Sequence, residues 1–196
     1  MKRSLIRSLV AASMLISVSP VHAAILSYSA NLSGAAEAPS NASPATGFVF
    51  VTIDNVLNTM RVEASFSGLL GNVTASHIHC CVAVPLTGTV GVATTLPTFP
   101  GFPSGVTSGV YDQTFDMLQN ASYNPAFITA NGGTAGAAAA ALFSGIDQGR
   151  SYFNIHTNLF RGGEIRGFLV QVPEPASFAL LGLGLLGLVW SRRKNS

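Results

Sequence analysis

Charge is scarce in this chain. Lys, Arg, Asp and Glu make up 9% of its 196 residues, ten basic against eight acidic. The small positive excess belongs to the two ends, where Lys2, Arg3 and Arg7 open the chain and Arg192, Arg193 and Lys194 close it. Between residues 24 and 172 there is no lysine, and four arginines (Arg61, Arg150, Arg161, Arg166) against seven acids (Glu37, Asp54, Glu63, Asp112, Asp116, Asp147, Glu164) leave a net charge of −3. A nucleic-acid partner is thereby excluded, because phosphate neutralisation needs clustered Lys and Arg. The single tryptophan, Trp190, also lies outside that stretch, so stacking on sugars would fall to Tyr28, Tyr111, Tyr123 and Tyr152. The chain has no P-loop, no Rossmann fingerprint and no Ser/His/Asp order. Asp112 and Asp116 stand four apart without further carboxylates and are assigned no catalytic role.

The two ends read as addresses. Residues 1–23 have the parts of a cleavable signal peptide: the basic start, an apolar run from Leu9 to Val18, and the small-residue site Val21-His22-Ala23. His22 leaves with that piece. Residues 173–196 comprise Pro173-Glu174-Pro175, a charge-free run from Ala176 to Trp190, and the basic cluster Arg192-Arg193-Lys194. As a helix the run rises about 22 Å, short of a ~30 Å hydrocarbon core. Extended back to Val172, with snorkelling basic side chains, it makes a marginal transmembrane helix whose positive end stays cytoplasmic. This order of features resembles the PEP-CTERM sorting signal of exported bacterial proteins. The resemblance implies an exosortase-type protease that recognises the Pro-Glu-Pro region and frees the domain from its anchor, typically in bacteria that make exopolysaccharide.

Residues 24–172 suit one domain with a sizeable core. Short runs rich in β-branched and aromatic residues predict strands over Ile25–Leu32, Gly47–Asp54, Met60–Phe66, Val73–Val82, Tyr152–His156 and Glu164–Val170, the pattern of an all-β sandwich. Turns are expected at Asp54–Asn58 and Asn158–Gly163, and an irregular excursion from Pro85 to Gly109. Thr134 is placed to cap a helix over Ala135–Ile146 that ends at Gly149 and buries Leu142, Phe143 and Ile146. Asn124-Pro125-Ala126-Phe127 starts another brief helix.

Chemistry has few residues to work with. His77 and His79 are two apart, so on a strand they project from one face about 7 Å apart. His156 shares a face with Asn154 and Tyr152 on a second predicted strand. If the strands are neighbours, three imidazoles can meet at one zinc or copper ion; otherwise they form a hydrogen-bonded polar stripe. Cys80 and Cys81, a possible redox pair, have no third cysteine as a partner. In an oxidising exterior the options are a vicinal disulfide, an intermolecular bridge, metal ligation, or buried thiols. On a regular strand Cys81 shares the face of His77 and His79, which makes it a fourth candidate ligand, while Cys80 faces away with Ile78. Glu164 and Arg166 share a face of the last strand, where an ion pair would stabilise the terminal hairpin.

Tyr28-Ser29-Ala30-Asn31-Leu32-Ser33-Gly34 with Glu37, His77-Ile78-His79, Tyr152-Phe153-Asn154-Ile155-His156-Thr157 and Gly162-Gly163-Glu164-Ile165-Arg166-Gly167 together resemble the CHRD domain first described in chordin. The resemblance spans about residues 26–170. It implies an immunoglobulin-like or superoxide-dismutase-like β-sandwich, an extracellular module, and no established enzyme activity in bacterial members. Cys80-Cys81 and the length of residues 85–134 depart from the family pattern. The leading expectation is an exported, non-enzymatic surface or matrix protein whose partners are the secretion machinery, an exosortase-type protease and, transiently, the inner membrane. The alternatives are a metal-binding or metal-dependent redox protein using the histidines, and an adhesive module for extracellular polysaccharide.

Overall fold

The computed structural model describes residues 25–173. The expected signal peptide over residues 1–23 and the sorting tail beyond Pro173 lie outside the described residues. Among the described residues eight strands and two α-helices follow one another: β1 (Ile25–Ser33), β2 (Thr46–Asp54), β3 (Thr59–Ser67), β4 (Val73–Cys80), β5 (Gly109–Asp116), α1 (Pro125–Ala130), α2 (Ala135–Asp147), β6 (Ser151–Thr157), β7 (Ile165–Phe168) and β8 (Val170–Gln171). Where the sequence pattern predicts a sandwich, the strands form one continuous antiparallel sheet in the order β4-β6-β7-β1-β2-β3-β5, with β8 also on β1. The sheet curls around its own apolar face.

Alternation sets that face. Tyr28, Ala30 and Leu32 of β1, Val49, Val51 and Ile53 of β2, and Met60, Val62, Ala64 and Phe66 of β3 all point inward and are buried. At the other end of the sheet Ile78, Phe153, Ile155 and Ile165 do the same. Phe99 and Phe102, from the long loop after β4, bring the two halves together. Phe99 packs 5.2 Å from Phe115 and 6.1 Å from Phe153, and Phe102 lies 5.6 Å from Phe66. The same loop runs back along the outer edge of β4: Phe99 N–H donates to Ser76 O, Ser76 N–H to Thr98 Oγ1 and Ile78 N–H to Thr94 Oγ1. A strand edge that would otherwise recruit another chain is thus covered.

Both helices start where their caps predict. Asn124 accepts from Ala126 N–H with Pro125 in the first turn, and Thr134 accepts from Ala137 N–H. Ala138, Ala139, Leu142, Gly145 and Ile146 form the buried stripe of α2, while Phe143 is only partly covered. Strand β5 is absent from the sequence-based expectation. Of its eight residues only Tyr111 and Phe115 are buried, so the apolar alternation that marks the other strands is missing. Among the described residues no helix is long and apolar enough to cross a membrane.

Phe153 sits in the core on a strand whose other face carries a candidate ligand. Phe153→Ala is expected to cost about 3–5 kcal/mol through lost burial and the cavity left behind. Urea denaturation should show a lower midpoint at unchanged slope; a midpoint within error of the parent would contradict this placement of the core.

Candidate metal centre

Strands β4 and β6 are direct neighbours, with His77 opposite Asn154, His79 opposite Tyr152 and Ala75 opposite His156. All three histidines therefore project from the outer face of the sheet, away from Ile78 and Phe153. One ring nitrogen of each lies within 4.8 Å of the other two. The ring centroids are 5.1 Å (His77 to His156), 5.8 Å (His77 to His79) and 5.8 Å (His79 to His156) apart.

The other nitrogen of each ring is committed to a loop carbonyl. His77 Nε2–H donates to Pro97 O at 2.5 Å, His79 Nδ1–H to Val90 O at 2.8 Å and His156 Nδ1–H to Arg161 O at 3.0 Å. A carbonyl can only accept, so each contact fixes the tautomer and leaves a lone pair on the remaining nitrogen. Those nitrogens, His77 Nδ1, His79 Nε2 and His156 Nε2, are buried and without a hydrogen-bond partner. Burial pushes the pKa of His77 and of His79 down to about 4 and lowers that of His156. All three rings are neutral at physiological pH, the state in which imidazole ligates metal. Three points no more than 4.8 Å apart share a centre within about 2.8 Å of each, so small side-chain adjustments reach the ~2.0–2.1 Å of a Zn–N bond.

The supporting residues come from β6, β7 and the loop after β1. Tyr152 stacks on His79 at 4.6 Å, and its hydroxyl contacts both Val90 N and Val90 O, so the carbonyl that orients His79 is itself held. The Arg166 guanidinium lies 4.7 Å over the Tyr152 ring and donates to Ala36 O and Gly88 O. The expected Glu164–Arg166 pair does not form. Arg166 approaches Glu37 instead, at 3.9 Å. Glu164 precedes β7 and accepts from Ser43 Oγ, Leu70 N, Gly71 N and Thr157 Oγ1. Burial alone would raise its pKa, but these donors hold it below the ordinary value.

Cys81 is not among the residues brought together here. β4 ends at Cys80, the Cys80–Cys81 peptide is cis, and a disulfide joins the two residues beside α2, where Cys81 Sγ lies 3.7 Å from Ala141 O. Asp112 is an exposed partner of Arg61. A cavity of about 660 Å³ along β1, β2, β3 and β5 is lined by no titratable side chain.

The family model of the CHRD domain matches residues 28–169. The chain belongs to the CHRD domain family. A second match, to the PEP-CTERM protein-sorting motif, covers residues 171–194 and takes in Pro173-Glu174-Pro175 and Arg192-Arg193-Lys194. This CHRD protein is therefore exported to the cell envelope or surface through an exosortase-type system. No curated protein and no solved structure matches it.

The pKa directions give the metal-free CHRD domain a testable acid profile. With folded values near 4 and an ordinary value of 6.5, His77 and His79 bind fewer protons folded than unfolded between those limits, so stability falls as pH drops from 6.5 to 4. The slope is at most about 1.4 kcal/mol per pH unit for each ring. Glu37 has the opposite sign. Burial outweighs the nearby Arg166 and lifts it from 4.5 to about 7, so its contribution is full below 4.5 and lost as pH rises through 7. Melting between pH 7 and 4 should show the loss, and Glu37→Gln should steepen it; a flat profile in both would contradict neutral buried imidazoles.

Proposed function

We propose that this exported CHRD domain holds one transition-metal ion, copper or zinc, on His77, His79 and His156. The observation that carries the reading is a cluster of three imidazoles with ring nitrogens within 4.8 Å of one another, each ring holding a backbone carbonyl with one nitrogen and leaving the other buried and unpartnered. A buried acceptor without a partner costs about 1–3 kcal/mol, and three at one point have no mutual remedy, since none can donate. A soft-to-borderline cation satisfies all three, and an all-nitrogen set suits Zn and Cu rather than Mg or Ca. The loop carbonyls on Pro97, Val90 and Arg161 are the outer partners that metal-bound imidazoles usually have.

The non-enzymatic surface or matrix role is compatible with this centre, because a metal-binding module need not turn over a substrate. The polysaccharide-adhesion reading has less support. Tyr28, Tyr111, Tyr123 and Tyr152 are all buried, so no tyrosine among the described residues offers an open face for a sugar ring.

Purified from the envelope, the protein should carry about one equivalent of zinc or copper after dialysis against the metal, by elemental analysis. His77→Ala and His156→Ala should each reduce this to background, whereas the double variant Cys80→Ala/Cys81→Ala should leave it unchanged. A parent protein with no stoichiometric metal, still folded by circular dichroism, overturns the proposal.

A further inference from the structure

A cavity of about 460 Å³, lined by Thr74, Ala75, His77, His156, Asn158 and Arg161, borders two of the three histidines. No carboxylate lines it. That composition is unusual within a domain of net charge −3, and Arg161 makes it more so. Arg61 is paired with Asp112 and Glu63, Arg150 donates to Val82 O, and Arg166 is buried against Glu37 and two carbonyls. Arg161 alone among the described arginines makes no side-chain hydrogen bond or ion pair. It is exposed at the cavity, while its main-chain oxygen orients His156.

We infer that this cavity admits a small anion to the metal's remaining coordination position, and that Arg161 selects for it. The inference rests on the metal reading above and deepens it. Three neutral imidazoles leave the full double charge of a divalent ion uncompensated, and three protein ligands leave a position open, the arrangement of sites that take water or a small ligand. A cation at the mouth, with no acid beside it, raises the local concentration of anions and repels competing cations. Asn158 and Thr74 supply polar side chains at the wall. The ligand class is a compact monoanion able to bind a metal end-on, such as hydroxide, azide or a short carboxylate.

The full chain, purified in detergent and loaded with Cu(II), provides the test. The metal titration comes first, so failure of the metal reading shows before any anion is added and takes the inference with it. Sodium azide is then titrated against the charge-transfer absorption of the copper site. Saturable binding is expected in the parent, weakening as ionic strength rises. Arg161→Gln should keep the copper affinity, because the carbonyl that holds His156 is main chain, yet bind azide about tenfold more weakly and with a shallower salt dependence. Arg161→Lys should recover most of the loss, and Arg61→Gln should match the parent. Copper bound without any azide response, or equal azide affinity in the parent and Arg161→Gln, overturns the inference while leaving the metal reading intact.

Discussion

Strand β6 is buried on both faces apart from the half-buried His156, and the candidate site follows from that constraint. Phe153 and Ile155 lie in the core, while Tyr152, Asn154 and His156 on the opposite side lie under loops. A polar face can be buried only if its donors and acceptors are met. The loops meet the donors. Pro97 O, Val90 O, Arg161 O, Ala36 O and Gly88 O accept from His77, His79, His156 and Arg166, and Val90 O also accepts from Tyr152. The unpartnered atoms on this face are all acceptors: one nitrogen on each histidine, Glu37 Oε1 and Asn154 Oδ1. Such a face is completed by protons and cations. The raised pKa of Glu37 provides one proton locally, while burial lowers the proton affinity of the imidazoles and leaves each with an unpartnered nitrogen.

The same balance explains why Arg166 is tolerated so near the centre. Its guanidinium is buried, and it adds to the lowering of the His79 pKa. Two loop carbonyls, the Tyr152 ring and Glu37 surround it, so its charge is spread over several partners rather than directed at one. Replacing it would free Ala36 O and Gly88 O and remove the ring contact that keeps Tyr152 against His79. It therefore acts on the histidines through position as well as through charge.

Much of this arrangement is legible in the sequence because strand periodicity is strict. The two-residue spacing of His77 and His79, and the shared face of Tyr152, Asn154 and His156, follow from alternation alone. The pairing of β4 with β6 is not readable that way, since 70 residues and both helices separate the strands. Loop carbonyls carry no side-chain signature, so the outer hydrogen bonds of the three rings leave no trace in the sequence. Glu164 and Arg166 show the limit of the face argument. They obey the two-residue rule, but β7 begins at Ile165, and each side chain finds stronger partners from loops distant in sequence. Strand β5 escapes because six of its eight residues face outward or lie at its margin.

The end of β4 ties the site to the helical side of the domain. His79 is followed at once by the Cys80–Cys81 disulfide, and both sulfurs pack on Gly145 of α2, where any Cβ would occupy their space. Gly145 lies in the last turn of α2, where the helix gains no side-chain contact from it. The close approach accounts for it: α2 can bury Ala138, Leu142 and Ile146 against the sheet only if nothing protrudes at residue 145. The adjacent cysteines that first suggest a fourth ligand are better understood as a spacer. They pack against a helix that contributes no residue to the three-histidine cluster.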